Sequence, residues 1–273
     1  MSGQSLNIIT VTGATASGKT ALAAALAYET GAEIVSADSR QVYRGMDIGT
    51  GKDLAEYNIN GVDVPYHLIN IVDAGYRYNV FEYRNDFLKV CEAISGRKKN
   101  IVLCGGSGMY IDAVINGYNL LPVPPDEDLR RELEQKTHEE LIEILSGIKR
   151  LHNKTDIDSK KRTIRAIEIE YHLKNNSATP VEYPAVNNTF FEVRFDRETR
   201  RERITRRLLD RLKNGMTEEA ENLMKQGLSL DDMLFYGLEY KYLGLYLCNK
   251  LTYSEMVEKL NVAIHQFAKR QMT

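Results

Sequence analysis

A glycine-rich segment near the N-terminus, residues 13–20, matches the pattern G-x-x-x-x-G-K-[ST] at every fixed position. An apolar run precedes it at residues 6–11, and an alanine- and leucine-rich stretch follows it at residues 21–28. A strand, a tight turn and a helix in this order form the context in which such a segment binds phosphate. The backbone N–H groups of the turn and the positive end of the helix dipole then converge on an anion. We therefore predict a phosphate-binding loop, or P-loop, with a polyphosphate or diphosphate ligand.

Side chains of this loop add to its backbone donors. Lys19 supplies a mobile positive charge, and the hydroxyl of Thr20 is placed to bind Mg²⁺. The residues predicted to bind a diphosphate or nucleotide are Gly13, Ala14, Thr15, Ala16, Ser17, Gly18, Lys19 and Thr20. The pattern identifies the kind of ligand but not the reaction.

Two further segments place polar groups after predicted strands. Residues 33–37 and 100–104 read as buried strands; Asp38 follows the first, and the turn Gly105-Gly106-Ser107-Gly108 follows the second. In open α/β sheets, ligands bind outside the carboxyl ends of the strands. Asp38 can there bind Mg²⁺ through water or accept a proton, and Ser107 can donate to a phosphate oxygen. The alternatives are a capping role for Asp38 and a purely structural turn at Ser107.

The composition is that of an ordinary globular protein, with 43% hydrophobic and 27% charged residues among 273 and a net charge of −2. The overall charge therefore predicts no polyanionic partner. The cysteines are few and scattered, at Cys91, Cys104 and Cys248, so we expect free thiols in a reducing cytoplasm. Since the sequence has no run of about 18 apolar residues, we expect no membrane span.

Apolar runs that alternate with helical patterns predict an α/β fold, with a P-loop NTPase-like parallel sheet flanked by helices. The proline-rich segment 121–125 introduces a mainly helical stretch, and the alternating residues 189–195 predict a strand that returns to the sheet. We therefore predict a P-loop α/β core formed by residues 1–120 and 189–273. Residues 121–188 are predicted to form an inserted, mainly helical subdomain.

Two predicted helices have well-marked starts. Thr137 and Thr252 are each followed three residues later by glutamate, which is the pattern of a capping box. In the helix after Thr252, apolar residues recur at helical spacing and are expected to face the core. These residues are Met256, Leu260, Ile264 and Phe267.

Positive charge is concentrated in two helical regions. Arg203, Arg207 and Arg211 recur every four residues on a helix predicted at residues 200–214. Of the eight arginines from Arg194 to Arg211, we expect most to form a solvated face and one or two near the core edge to reach a diphosphate. A second basic cluster comprises Lys149, Arg150, Lys154, Lys160, Lys161, Arg162 and Arg165. Segregated positive charge in a slightly acidic protein favours a nucleic-acid backbone as partner.

Residues 153–156 match N-K-x-D, the guanine-binding motif of P-loop GTPases. In those proteins the motif follows an apolar strand, but here a basic segment precedes it. A D-x-x-G segment, which would bind the third phosphate, does not occur in the sequence. We therefore interpret the match as a coincidence.

The ordered set of motifs is more specific than the P-loop alone. The P-loop is followed by DSRQVYRGMDIGT at residues 38–50, GGSGMY at residues 105–110 and QFAKRQ at residues 266–271. This set resembles the tRNA dimethylallyltransferases, or tRNA isopentenyltransferases, over essentially the whole chain. The resemblance implies transfer of a dimethylallyl group from dimethylallyl diphosphate to the N6 amine of an adenosine that adjoins the tRNA anticodon, with Mg²⁺ as cofactor.

The resemblance also implies roles for individual residues. Asp38 matches the family's general base, and Lys19 and Thr20 match its diphosphate and Mg²⁺ ligands. Ser107 stands where the family usually has threonine, and Arg207 matches an arginine that contacts the diphosphate. The residues that match tRNA-contacting segments are Asp38, Ser39, Arg40, Gln41, Lys161, Arg162, Thr163, Ile164 and Arg165.

The region from about residue 121 to residue 186 matches the helical domain with which the family grips the anticodon stem-loop. The resemblance thus implies two partners, the tRNA anticodon stem-loop and dimethylallyl diphosphate. We expect the protein to be a cytoplasmic monomer.

The chain departs from the family pattern at two internal motifs. Gly49-Thr50-Gly51-Lys52 stands where the family usually has Gly-Thr-Ala-Lys. Gly237-Leu238-Glu239-Tyr240-Lys241 stands where it usually has Gly-Tyr followed by arginine or lysine. Family members also usually continue past the final Lys-Arg-Gln, commonly with a tryptophan. This sequence has no tryptophan, and we expect its C-terminus to be short.

Two other functional classes remain open at this point. An ATP-dependent small-molecule kinase shares the P-loop and the sheet, but it gives no reason for the basic cluster around residues 150–165. A non-catalytic tRNA-binding protein with a vestigial P-loop would bind tRNA without catalysing transfer. Replacement of Asp38 separates these classes, because only the transferase would lose activity while it still binds tRNA.

Overall fold

The computed structural model describes residues 5–118, 120–151, 155–175 and 183–272. The chain divides into two compact units: unit 1 comprises residues 1–118 and 183–273, and unit 2 comprises residues 119–182. Asn153 of the N-K-x-D match and Lys154 of the basic cluster lie outside the described residues.

The strands of unit 1 make up one parallel sheet and one small hairpin. They are β1 (Leu6–Gly13), β2 (Glu33–Ser36), β3 (Asn58–Ile59), β4 (Val62–Asp63), β5 (Tyr66–His67), β6 (Ile101–Gly105) and β7 (Val186–Val193). The sheet has the order β5-β2-β6-β1-β7 with every pair parallel, whereas β3 and β4 pair antiparallel. The parallel sheet predicted from the sequence is therefore confirmed.

Helices follow the strands of unit 1 and make up unit 2. In chain order they are α1 (Lys19–Thr30), α2 (Val80–Gly96), α3 (Gly108–Ile115), α4 (Glu127–Glu134), α5 (His138–Ile148), α6 (Lys160–Asn175), α7 (Arg197–Lys213), α8 (Met216–Lys225), α9 (Leu230–Phe235), α10 (Leu238–Leu247) and α11 (Tyr253–Arg270). Short 3₁₀ turns lie at Leu54–Tyr57 and Thr155–Ile157. Helices α4, α5 and α6 belong to unit 2 and the others to unit 1.

The sheet of unit 1 is covered on both faces. Successive residues of a strand point to opposite sides, so β6 supplies Ile101 and Leu103 to one apolar cluster and Val102 and Cys104 to the other. A strand buried on both faces needs an unbroken apolar run rather than an alternating one. This requirement explains why residues 100–104 could be identified as a strand from composition alone.

Side-chain caps set several helix starts. The hydroxyls of Thr137 and Thr252 accept hydrogen bonds from the Glu140 and Glu255 backbone N–H groups, so both predicted capping boxes are confirmed. Helix α7 begins earlier than predicted. The Asp196 carboxylate caps its start by accepting hydrogen bonds from the backbone N–H groups of Glu198 and Thr199.

Strand β7 shows what local pattern cannot determine. Alternation predicted a strand at residues 189–195, whereas the observed strand spans Val186–Val193. Its ends follow from its pairing with β1, which runs from Leu6 opposite Val186 to Gly13 opposite Val193. Residues 186–188 therefore belong to the sheet of unit 1 rather than to the insertion.

Unit 2 has its own small core. Helices α4, α5 and α6 surround Leu133, Leu141, Leu145 and Ile167, each of which is almost fully buried. None of the described helices has both the length and the hydropathy that a membrane crossing requires. The thiols of Cys91, Cys104 and Cys248 are free, as predicted.

The junction after β6 yields a stability prediction. A Cβ atom at Gly105 would lie 2.2 Å from the Ala37 carbonyl oxygen, and backbone cannot swing away as a flexible side chain can. We expect Gly105→Ala to lower the free energy of unfolding by about 1–3 kcal/mol through overpacking. Urea denaturation measures this change.

Gly96→Ala is the matched control, because no heavy atom lies within 4 Å of a Cβ built at the end of α2. Alanine is a better helix former than glycine, so this variant should keep or raise stability by up to about 1 kcal/mol. Equal effects of the two substitutions would contradict the packing described for Gly105.

Candidate active site

A cavity of about 990 Å³ opens in unit 1 at the carboxyl ends of β1, β6 and β2. Because these strands are neighbours in the sheet, the P-loop, the loop that starts at Asp38 and the loop that contains Ser107 all border it. The predicted ligand-binding residues that line it are Gly13, Thr15, Ala16, Ser17, Gly18, Lys19, Thr20, Asp38, Ser39, Arg40, Gln41, Ser107 and Arg207. Ala14 does not line the cavity, because its side chain packs into the core.

The P-loop has unused donors. Gly18 caps α1 with φ of +79°, a left-handed conformation that glycine adopts without steric cost. The Ser17 hydroxyl is buried and has no hydrogen-bond partner among the described residues. Buried polar groups are normally satisfied, so an orphan of this kind at a cavity marks a place for a ligand.

Lys19 adds positive charge that is only partly offset by the protein. Burial lowers the pKa of the Lys19 ammonium, and the Asp38 carboxylate acts in the opposite direction. The nearby guanidinium groups of Arg207 and Arg211 lower the pKa of Lys19 further. A bound anion would stabilise all of these cations at once.

The carboxylate of Asp38 is oriented by its own loop. Its Oδ1 atom accepts a hydrogen bond of 2.9 Å from the backbone N–H of Arg40. The Ser107 hydroxyl accepts one of 2.9 Å from the Ser39 backbone N–H and lies 3.2 Å from the Ser39 hydroxyl. The loops after β2 and β6 are thus joined, and Ser107 holds the Asp38 loop in addition to facing the cavity.

Helix α7 turns three arginines toward the cavity. The Nε of Arg203 donates to the Ala16 carbonyl over 2.9 Å. Arg207 donates to the Asp53 carboxylate and, over 3.4 Å, to the Gly51 carbonyl. Arg211 lines the cavity as well, so at least three of the eight arginines from Arg194 to Arg211 border it.

The segment from Asp47 to Lys52 is anchored by buried charges. Glu219 accepts hydrogen bonds from the backbone N–H groups of Asp47, Ile48 and Gly49, at 2.8, 2.7 and 2.9 Å. The fully buried Lys52 donates through Nζ to the Tyr43 carbonyl over 2.5 Å and to the Asp47 carboxylate over 2.6 Å. These contacts fix the position of Gly51 at the cavity edge.

The C-terminal helix also reaches the P-loop. Gln271, just after α11, accepts a hydrogen bond of 2.9 Å from the Thr15 backbone N–H. Its amide nitrogen donates to the Gly106 carbonyl over 3.0 Å. This side chain therefore ties the loops after β1 and β6 together and occupies one amide of the P-loop.

One expectation for α11 is wrong. Met256, Leu260 and Ile264 are buried as predicted, but Phe267 is 40% exposed and lines the cavity. With Met109 and Leu234, which are also exposed, it gives the cavity an apolar border. Helical spacing cannot distinguish a residue that faces the core from one that faces a cavity beside it.

The predicted tRNA-contacting segment of α6 is only partly at the surface. Thr163 and Ile164 are buried, and the Thr163 hydroxyl donates to the Asp156 carbonyl over 3.0 Å. These two side chains therefore cannot contact a partner, in contrast to the prediction. Lys161 and Arg162 are exposed, and Arg165 is half-buried.

Much of the second basic cluster is neutralised within unit 2. Arg162 pairs with Asp158 at 2.5 Å, and Lys149 lies 3.1 Å from Glu170. Arg165 pairs with Glu168 and donates to the Val123 carbonyl over 2.8 Å. Residue counts overestimated the free positive charge of this surface, because sequence alone does not show which acids lie beside the bases.

The described side chains offer few ligands for a metal ion, so a bound substrate would supply others. Within the described ranges, no group of three or more His, Cys, Asp or Glu side chains is arranged to hold an ion. Thr20, the residue expected to bind Mg²⁺, lines the cavity, and so does Asp38, which could bind the ion through water or accept a proton. Such a sparse set suits Mg²⁺, which usually takes one or two carboxylates together with water and substrate phosphates.

Comparison with known proteins relates the chain to one protein family. The sequence model of the family described as IPP transferase matches residues 41–273. The chain is 54% identical to tRNA dimethylallyltransferase 1 of Parabacteroides distasonis over 99% of its own length and 88% of that protein. It is 56% identical to tRNA dimethylallyltransferase 2 of Bacteroides fragilis over 98% of its own length and 87% of that protein.

Solved structures show the same fold. A tRNA isopentenylpyrophosphate transferase from Bacillus halodurans superposes with a TM-score of 0.70 and 31% identity, covering 97% of this chain and 85% of that chain. A eukaryotic dimethylallyltransferase acting on tRNA superposes with a TM-score of 0.77, covering 98% of this chain and 69% of that chain. At 22% identity, the second similarity concerns the fold alone.

The anchoring of the segment 47–49 by Glu219 can be tested directly. In Glu219→Gln, one acceptor oxygen becomes an N–H₂ group that faces backbone donors. We expect the free energy of unfolding to fall by about 1–3 kcal/mol, since buried donors lose their acceptor. Urea denaturation gives the stability, and hydrogen exchange should be faster at the Asp47–Gly49 amides.

Glu221→Gln is the control for this experiment. Glu221 lies on the same helix, but its carboxylate pairs only with Lys225 four residues on, and both side chains are largely exposed. Its replacement should change stability by no more than about 0.5 kcal/mol. If the two variants were equally stable, Glu219 would not anchor the segment.

Proposed function

The chain belongs to the IPP transferase family, and from this premise we propose that it transfers a dimethylallyl group from dimethylallyl diphosphate to tRNA. The acceptor is the N6 amine of the adenosine that adjoins the anticodon, and diphosphate is released. The observation that carries the proposal is the convergence of an anion-binding P-loop and the Asp38 carboxylate in a single cavity. Diphosphate and amine can therefore be bound side by side. The small-molecule kinase is set aside, because the family of the chain performs a different reaction.

On the leaving-group side, the C–O bond of the allylic diphosphate breaks and its electron pair stays on the diphosphate. Charge that develops on those oxygens is stabilised best by donors that are already in place. We assign this role to Lys19, Arg207 and the P-loop amides other than those of Thr15 and Ser17, which bond to Gln271 and Ala14. The buried, unpartnered hydroxyl of Ser17 is a further donor in the same loop. The P-loop here stabilises a leaving group instead of positioning a phosphoryl group for transfer.

On the acceptor side, the adenine amine is a weak nucleophile because its lone pair is delocalised into the ring. Removal of its proton as the new C–N bond forms overcomes this weakness. We assign the proton to Asp38, whose carboxylate lines the cavity and is oriented by the Arg40 backbone N–H. Ser107 supports this role by bonding to Ser39 in the same loop.

Thr20 and Asp38, with the diphosphate oxygens, would hold Mg²⁺. When bound, the ion supplies positive charge that neutralises the diphosphate as it leaves. The exposed Met109 and Phe267 side chains give the dimethylallyl group an apolar border to lie against.

The tRNA partner is proposed to contact both units. Asp38, Ser39, Arg40 and Gln41 lie at the cavity, where the target adenosine must arrive out of its stack. An anticodon loop allows this at lower cost than a duplex, since its bases are not paired. In unit 2, the exposed Lys161 and Arg162 are the residues of the predicted α6 segment best placed to contact the phosphate backbone.

Replacement of Asp38 tests the proposed chemistry. Asparagine keeps an oxygen for the Arg40 N–H but cannot take a proton. We expect Asp38→Asn to reduce the rate of transfer roughly 10²- to 10⁴-fold. Labelled dimethylallyl diphosphate and an anticodon stem-loop RNA measure transfer, and a filter-binding assay should show that RNA affinity is largely retained.

Asp63→Asn serves as control, because Asp63 lies on the exposed hairpin and, among the described residues, its side chain accepts a hydrogen bond from the Asn58 amide. Asparagine preserves that acceptor, so transfer should stay at the wild-type rate. Full activity of Asp38→Asn would contradict the base assignment. Phosphoryl transfer from ATP, without any transfer of the labelled allyl group, would contradict the proposed function itself.

A further inference from the structure

Arg211 is a buried cation that the reaction described above does not use. It lies one helical turn after Arg207 on α7, lines the cavity, and has only 13% of its side chain exposed. Its Nη2 atom is buried and finds no hydrogen-bond acceptor among the described residues. Its Nη1 atom is 3.9 Å from the Glu239 carboxylate, too far for a good hydrogen bond. A buried arginine donor without an acceptor costs free energy. Arg211 therefore has an unsatisfied N–H donor that a ligand could satisfy.

The space that Arg211 occupies exists because residue 51 is glycine. A Cβ atom at Gly51 would lie 1.5 Å from Nη2 of Arg211 and 2.6 Å from Nη2 of Arg207. The two guanidinium groups therefore meet at the Gly51 backbone. The family usually has alanine at this position, so the glycine of this chain and the placement of Arg211 are sterically coupled.

Burial and neighbouring charges shift the pKa values of Arg211 and Glu239 before any ligand binds. Burial and the neighbouring Arg207 lower the pKa of Arg211, and the Glu239 and Asp53 carboxylates oppose that effect. Burial raises the pKa of Glu239, while Arg211 acts against it. Burial thus disfavours both charges, and each of the two groups stabilises the other. A multivalent anion would relieve the cations.

We propose that Arg211 is a further diphosphate-binding residue of this chain, whose Nη2 donates to a phosphate oxygen next to the one that Arg207 contacts. Glu239 then acts as the counterion that holds the Arg211 guanidinium in the cavity. This proposal rests on the proposed function, since it assumes that the cavity binds diphosphate. The competing explanation is a buried Arg211–Glu239 pair with a purely structural role.

Calorimetric titration with inorganic pyrophosphate and Mg²⁺ distinguishes these explanations. We expect Arg211→Gln to weaken pyrophosphate binding roughly 10- to 100-fold, as for the loss of a charged hydrogen bond. In steady-state assays the same variant should raise the KM for dimethylallyl diphosphate and leave the KM for RNA unchanged. A structural pair would instead lower the melting temperature without a change in pyrophosphate affinity, and that result would overturn the proposal.

Two further variants keep the test decisive. Arg201→Gln removes the same charge from an exposed position of α7 and should bind pyrophosphate like the wild type. Should Arg211→Gln unfold because Glu239 is left unpaired, the double variant Arg211→Gln/Glu239→Gln removes both charges and should fold. We expect this double variant to bind pyrophosphate roughly 10-fold or more weakly than the wild type. Wild-type affinity in the double variant would overturn the proposal.

A double-mutant cycle tests the coupling to Gly51. Gly51→Ala should weaken pyrophosphate binding in the wild type, because the new Cβ displaces the Arg211 guanidinium. In an Arg211→Ala background that effect should be smaller, although the contact with Arg207 and the strain of alanine at a φ of +64° leave a remainder. An undiminished effect would contradict the steric coupling.

The failure of this proposal and the failure of the proposed function can be told apart. If the wild type itself bound no pyrophosphate, the proposed function would fail. Equal binding by the wild type and Arg211→Gln would refute the role of Arg211 alone.

Discussion

The parallel pairing of β1, β6 and β2 is the constraint on which the rest of unit 1 depends. Because β6 lies between the other two strands, the P-loop, the Asp38 loop and the Ser107 loop leave the sheet at one edge. The close contact of Gly105 with Ala37, and the hydrogen bond from the Ser107 N–H to the Ala37 carbonyl, pack two of these loops backbone against backbone. The P-loop, Asp38 and Ser107 thereby border one cavity, although Ser107 lies far from the P-loop in sequence.

Residues of the C-terminal half of the chain complete the candidate active site that the P-loop half forms in part. Helix α7 contributes arginines opposite the P-loop, α8 contributes Glu219 as an anchor for the segment 47–49, and Gln271 after α11 joins two of the loops. The site is therefore held from both sides before any ligand arrives. Preorganised donors of this kind stabilise developing charge without the cost of moving at the moment of reaction. The buried charge of Lys52 is tolerated for a related reason, since its Nζ atom is bonded to three oxygens.

Local features were predictable because they depend on neighbours in the chain. The P-loop, the capping boxes at Thr137 and Thr252, and the buried strand at residues 100–104 each follow from a few adjacent residues. The N-cap at Asp196 obeys the same rules and could have been recognised, since aspartate precedes a helical pattern there. The start of β7 could not, because its partner strand lies about 180 residues away and sets its register.

The sequence by itself predicted a loop suited to a diphosphate-like anion, the parallel sheet around which the chain folds, and the family to which it belongs. Those conclusions rest on contiguous motifs whose geometry is local. Only the tertiary structure decided which polar side chains face the cavity: it buried Thr163 and Ile164, turned Phe267 toward the cavity, and brought Arg211 against Gly51. Helical spacing states which residues share a face, but the packing of other elements decides whether that face meets core, solvent or ligand.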